Sequence, residues 1–120
     1  MNSSAQYRAQ PIDPLQIEAE IWRLTQELEN ETDQFKVRAK EAAIADSDNK
    51  KAYAISYIAR EKGSVEDKKT WASYETSEEY YHSKLTDALM KASRVRISSI
   101  STQLDSLRTL ASSARIMSGG

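Results

Sequence analysis

Arg60-Glu61-Lys62-Gly63-Ser64-Val65-Glu66-Asp67 is the stretch on which the fold turns. Its Gly63 is the only glycine or proline between Pro14 and Gly119. Both residue types disfavour helix interiors, by about 1 kcal/mol for glycine and about 3 kcal/mol for proline. A chain so free of breakers, with one at its centre, predicts two long helices folded back on each other. Gly63 suits the left-handed position that ends a helix, and Ser64 suits the cap that starts the next. Asp67, three residues after Ser64, comes close to a capping box.

Working outward, residues 1–12 form a polar leader, expected to be frayed. Asp13-Pro14 is a start signal, since Asp caps free amides and Pro at the first helical position has no amide hydrogen to lose. Gln16 suits the capping box there. The first helix is predicted from Pro14 to about Lys62 and the second from Ser64 to about Met117, with 118–120 as a flexible tail. Each helix is about 70 Å long at 1.5 Å per residue. The expected class is all-α, a long antiparallel two-helix hairpin with a turn at 63–64.

Apolar spacing supports this reading. Ile17, Ile21, Leu24, Leu28 and Phe35 follow steps of three and four, broken by a polar step between Leu28 and Phe35. Leu85, Leu89, Ile97, Ile100, Leu104, Leu107 and Ala111 repeat the rhythm, as in a coiled-coil seam. Folding at Gly63 sets Leu28 near Ile97 and Ile100, Ile21 near Leu104 and Leu107, and Tyr53 near Trp71 and Tyr74. The small residues Ala39, Ala42, Ala43 and Ala45 then lie opposite Tyr81, Leu85 and Leu89. Asp46-Ser47-Asp48-Asn49 favours caps and turns, so a kink is expected there. Trp22, Val37, Ile44, Ile55, Ile58 and Leu110 do not all fit one narrow seam. Their surplus predicts association into a bundle, through a homodimer or a partner surface.

Composition excludes several classes. The 120 residues carry 17 Lys+Arg against 18 Asp+Glu, a formal charge of −1, so neither a generally basic nucleic-acid binder nor an acidic DNA mimic is expected. The chain lacks cysteine, which fits a cytoplasmic setting. Met1–Gln10 lacks the apolar core of a signal peptide, and apolar runs such as Ala42–Ala45 are too short to span a bilayer. No membrane association is expected.

Charge is nevertheless uneven. Between Asp13 and Asp33 there are seven acids and one base; between Lys84 and Arg115 there are six bases and two acids. In a hairpin these stretches are neighbours and neutralise each other; the alternative is that Arg94 and Arg96 contact phosphate. Between Lys50 and Lys69 six bases, Lys50, Lys51, Arg60, Lys62, Lys68 and Lys69, stand against Glu61, Glu66 and Asp67. Tyr53, Tyr57, Trp71 and Tyr74 lie among them. Charge for phosphate beside flat faces for bases is what single-stranded nucleic acid requires. Core packing of the aromatics and a protein partner are the competing readings. The candidate partner-binding residues are thus Lys50, Lys51, Tyr53, Tyr57, Lys62, Lys68, Lys69, Trp71 and Tyr74.

Metal and catalytic constellations are weak. Glu78 and Glu79 stand four and three residues before His82, giving half a site where three or four ligands are needed. No serine sits on a strand-to-helix elbow with a paired base. No enzyme activity, metal, cofactor or small-molecule substrate is expected.

Two stretches, DNKKAYAISYIA at 48–59 and the run from Glu66 to Arg115, especially LTDALMKASRVRISSISTQLDSLRTLASSAR, resemble a known group. They are similar to small all-helical proteins of tailed bacteriophages and prophages, often encoded beside recombination, replication or single-strand annealing genes. The resemblance implies a phage accessory protein in the host cytoplasm; it transfers no functional residues. The leading expectation is a non-enzymatic factor that binds a protein of DNA metabolism through its helical faces. The alternatives are an inhibitor of a host defence complex such as a CRISPR effector, and a single-stranded nucleic-acid binder acting through the basic aromatic tip.

Overall fold

The computed structural model describes residues 13–119, and every regular element among them is an α-helix. Helix α1 is Pro14–Ala59, α2 is Val65–Glu75 and α3 is Ser77–Gly119. These form the two antiparallel arms of a helical hairpin, α1 outward and α2 with α3 returning. The leader at 1–12 lies outside the described residues, as does residue 120 of the tail; α3 itself continues to Gly119.

Local chemistry sets the ends. Asp13 Oδ1 accepts from the Leu15 amide at 3.0 Å, and Pro14 follows it. At the turn Gly63 has φ of +113°, a conformation that L side chains rarely adopt. Ser64 Oγ accepts from the Asp67 amide at 3.1 Å, and the Ser64 amide donates to Asp67 Oδ2 at 3.1 Å, completing the capping box. A Cβ at position 63 would lie 3.1 Å from Asp67 Cβ, inside this box. Gly63→Ala should therefore lower stability by about 1–2 kcal/mol, read by thermal unfolding. An unchanged midpoint would show that the turn relaxes freely.

Three boundaries differ from expectation. Helix α1 ends at Ala59 rather than Lys62, and Arg60, the first residue beyond it, lies over the Trp71 ring. No break occurs at Asp46–Asn49, where α1 is continuous. Asp, Ser and Asn lose only a few tenths of a kcal/mol each in a helix, and Lys50 pairs with Asp46 at 2.9 Å one turn on. The break falls instead in the second arm, at Thr76 (φ −109°, ψ 22°). There the Thr76 hydroxyl donates to the Ala72 carbonyl at 2.7 Å, and its amide reaches the same oxygen at 3.0 Å. Hydroxyl back-bonding of this kind bends helices.

Packing divides the described residues into two units, 13–30 with 97–119, and Glu31–Arg96. In the first, Leu24, Ile100 and Leu104 are buried together, with Ile21, Leu28 and Leu107 packed on them. Ion pairs decorate its surface: exposed Arg23 hydrogen-bonds half-buried Glu20 and also pairs with half-buried Glu27 at 2.8 Å. Hydrogen bonding to Arg23 holds the Glu20 carboxyl below the usual range.

The second unit has a different seam. Its buried residues are Ala42, Ala45, Ala72, Thr76, Thr86 and Ser93. Leu85 and Leu89, expected opposite the alanines, are 44% and 42% exposed, and Tyr81 is 69% exposed. Along α3 in this unit Thr86, Met90 and Ser93, spaced four and three apart, are buried or half-buried, with half-buried Ser83 and Asp87 beside them. Thr86 and Ser93 hold seam positions because their hydroxyls find partners. Thr86 donates to the His82 carbonyl at 2.9 Å, and Ser93 donates to Glu31 Oε1 at 3.0 Å while accepting from Arg38 Nη1 at 2.7 Å. Arg96 Nε completes the cluster at 3.3 Å from Glu31 Oε2. Among the described residues no buried side-chain polar atom lacks a partner.

Candidate partner-binding tip

All nine residues singled out at the tip belong to the Glu31–Arg96 unit. Helix α1 supplies Lys50, Lys51, Tyr53 and Tyr57, the connection supplies Lys62, and α2 supplies Lys68, Lys69, Trp71 and Tyr74. Tyr53 and Tyr57, one turn apart on α1, stack at 6.4 Å between centroids and 25° between planes. Lys68 Nζ stands 6.0 Å from the Tyr57 centroid, joining the two arms. Arg60 Cζ lies 4.9 Å from the Trp71 centroid, and Lys84 Nζ lies 5.3 Å from that of Tyr80. Contacts of this type contribute about 0.5–1 kcal/mol each at exposed sites.

The structure does not gather the nine into one patch. Lys50 and Tyr53 line a groove of about 560 Å³ with Asn49, Ser73, Thr76, Ser77 and Tyr80. It lies where the second arm breaks at Thr76. Trp71 and Tyr74 line a separate groove of about 360 Å³ with Arg60, Asp67 and Thr70. Tyr53 therefore contacts Tyr57 and the first groove, while Tyr74 projects with 75% of its surface exposed. Lys51 stands on a different face of α1, in step with Ser47 and Ile55.

Asn49, Thr76 and Tyr80 were absent from the expected set. Thr76-Ser77-Glu78-Glu79 reads as a Thr-x-x-Glu helix start in its own right. Reading it would have placed a junction, and hence a groove, beside Tyr80.

Much of the tip's positive charge is already engaged. Lys50 pairs with Asp46 at 2.9 Å and Lys69 with Glu66 at 3.7 Å. Arg60, Lys68 and Lys84 each cover one face of an aromatic ring. Stacking of nucleobases needs open ring faces, and engaged cations offer less to phosphate. The grooves present what protein contacts favour: Tyr, Trp and Arg with apolar bodies and polar tips.

Elsewhere, His82, Glu78, Glu79 and Asp48 line a shallow depression with Ala45. Among the described residues no three His, Cys, Asp or Glu side chains are placed to hold a metal ion, and no helix is long and apolar enough to cross a membrane. No family model, curated protein or solved structure matches the chain.

Proposed function

We propose that this protein is a non-catalytic helical interaction factor that binds a partner protein at its tip. The observation that carries this reading is the pair of grooves at the tip, walled by Tyr53, Tyr80, Trp71 and Tyr74 and edged by engaged cations. Aromatic anchors on a helical scaffold offer large contact area at low entropy cost, and truncating such anchors typically costs 2 kcal/mol or more of binding. The class of partner, a protein of phage recombination or replication in the host cytoplasm, rests on the resemblance of 48–59 and 66–115.

The test places a photo-cross-linking amino acid at Tyr74 and, as a control, at exposed Ala88. A discrete protein adduct formed from Tyr74 alone supports the reading when a recombination or replication protein is identified in it. Tyr53→Ala with Trp71→Ala should then weaken that complex at least about thirtyfold. Equal adducts from both positions would sink it.

Single-stranded DNA is the contrasting partner. Changing Lys50, Lys51, Lys68 and Lys69 to Glu should leave helicity intact and alter oligo-dT binding little, because tight binding is absent at the outset. Submicromolar oligo-dT binding that falls steeply with salt and vanishes in this variant would replace the protein reading with the nucleic-acid one.

A further inference from the structure

The returning arm leaves one turn out of its seam. Lys68, Ala72 and Thr76, at steps of four, are buried or half-buried, and burial resumes at Ser83 and Thr86. Every residue between, from Ser77 to His82, is exposed. Tyr80 holds the next position in step with Thr76, yet 55% of its surface is open to solvent. Ser73, Thr76 and Ser77, which share a wall with Asn49 and Tyr53, are small. The space they leave is the groove of about 560 Å³, within the size range of sites that enclose a compact ligand group.

Charge selects the occupant. Lys50 lines the groove and no carboxylate does; each polar side chain on the wall carries a hydrogen-bond donor. Lys84 Nζ, 5.3 Å from the Tyr80 centroid, adds a second cation beside it. The neighbouring depression has the opposite set, Asp48, Glu78 and Glu79 with His82 and no lysine or arginine. An anionic ligand is therefore drawn to the groove and repelled from the depression. Lys50 does have a partner, Asp46, but that pair is open to water, with 75% and 53% of the two side chains exposed. Such pairs hold weakly, so an incoming carboxylate can displace Asp46. Two tyrosine rings with one lining lysine suit an apolar side chain beside an acid, whereas a nucleic-acid strand needs a track of cations along its backbone.

On the reading of the tip as a protein-binding surface, on which this inference rests, we propose that the groove at the Thr76 break takes an acidic segment of the partner protein. An aromatic or large aliphatic side chain of that segment sits between the Tyr53 and Tyr80 rings, and a neighbouring carboxylate pairs with Lys50. Asp46 is the groove's internal competitor. Asp46→Asn should therefore tighten binding about threefold, whereas Lys50→Glu should weaken it at least about tenfold. Tyr80→Ala, at an exposed position, should weaken it about thirtyfold with helicity unchanged. Lys51→Glu makes the same charge change on another face of α1 and should cost less than about twofold at physiological salt.

The probe is a displayed library of random dodecapeptides selected against the full chain. Affinities of the recovered peptides are read by fluorescence anisotropy, and folding of each variant by circular dichroism. Recovered sequences should be net acidic around one aromatic or large aliphatic residue, and should follow the order of effects above. No recovered binder, neutral or basic binders, acidic binders that Tyr80→Ala leaves intact, or acidic binders that Lys51→Glu weakens as much as Lys50→Glu would overturn the proposal. So would oligo-dT binding that Tyr80→Ala abolishes, which puts nucleic acid in the groove. A dimer in sedimentation that the same change disperses puts a second copy there and overturns it too. A Tyr74 adduct with a recombination or replication protein, obtained when no acidic peptide binds, leaves the tip reading standing and removes the acidic segment alone. Acidic peptides that bind as expected when Tyr74 gives no such adduct support the groove's chemistry and remove that class of partner.

Discussion

Leu104→Ala is expected to lower the unfolding free energy by about 3 kcal/mol, the largest loss of any single truncation in this chain. Leu104 is 1% exposed and packs with Leu24 and Ile100 at the centre of its unit, where Ile21, Leu28 and Leu107 close around it. Removing its branched end forfeits the transfer of three carbons out of water and leaves a cavity that two rigid helices fill poorly. The informative control is Leu85→Ala. Leucine spacing alone puts Leu85 in the same seam, but at 44% exposure its truncation should lose well under 1 kcal/mol. Urea unfolding followed at 222 nm measures both. Comparable losses at the two positions would mean that Leu85, rather than Thr86, faces α1.

That contrast shows where the sequence was legible and where it was not. The hairpin could be read because its signals are local: one glycine with positive φ, a Ser64–Asp67 box and a Pro14 start. The apolar seam near Leu24 and Leu104 could be read because leucine and isoleucine fill its positions. Beyond Glu31 the seam continues through Glu31, Arg38, Thr86 and Ser93, residues that an apolar count passes over. Thr86 bonds back to His82 one turn away, but Glu31, Arg38 and Ser93 depend on partners more than fifty residues away, and such pairings exist only once the arms meet. The same limit hid the break at Thr76. Its hydroxyl had two options, capping the next helix or bonding back to Ala72, and the four conspicuous polar residues at 46–49 were the more obvious place for a break. At the tip, residue types identified the cations and aromatics, but only the folded structure shows that Arg60, Lys68 and Lys84 lie against rings.

Glu31→Ala should have the second large effect, a loss of about 2 kcal/mol. The Glu31 side chain is only 16% exposed, and its carboxylate takes the Ser93 hydroxyl on one oxygen and the Arg96 guanidinium on the other. Without it the fully buried Ser93 hydroxyl loses its acceptor, and Arg38, whose Nη1 lies 4.0 Å from that carboxylate, loses its counter-charge. Much of the loss is the cost of stranding partners, which a second experiment separates from the worth of the cluster itself. Replacing Glu31 and Arg38 with Leu and Ser93 with Ala together leaves no buried polar group stranded, since Arg96, 59% exposed, keeps its guanidinium in water. Stability should return to the native level or exceed it, as it often does when a buried ionic cluster becomes apolar. What should be lost is register. Two helices joined by leucine and alanine alone can slide by a heptad with little penalty, whereas Ser93 can meet Glu31 and Arg38 in one alignment only. The native chain should therefore show one set of amide resonances, and the triple variant several. A triple variant that is stable and gives one native-like set would show that the apolar layers and the turn at Gly63 align the arms without help from the polar cluster.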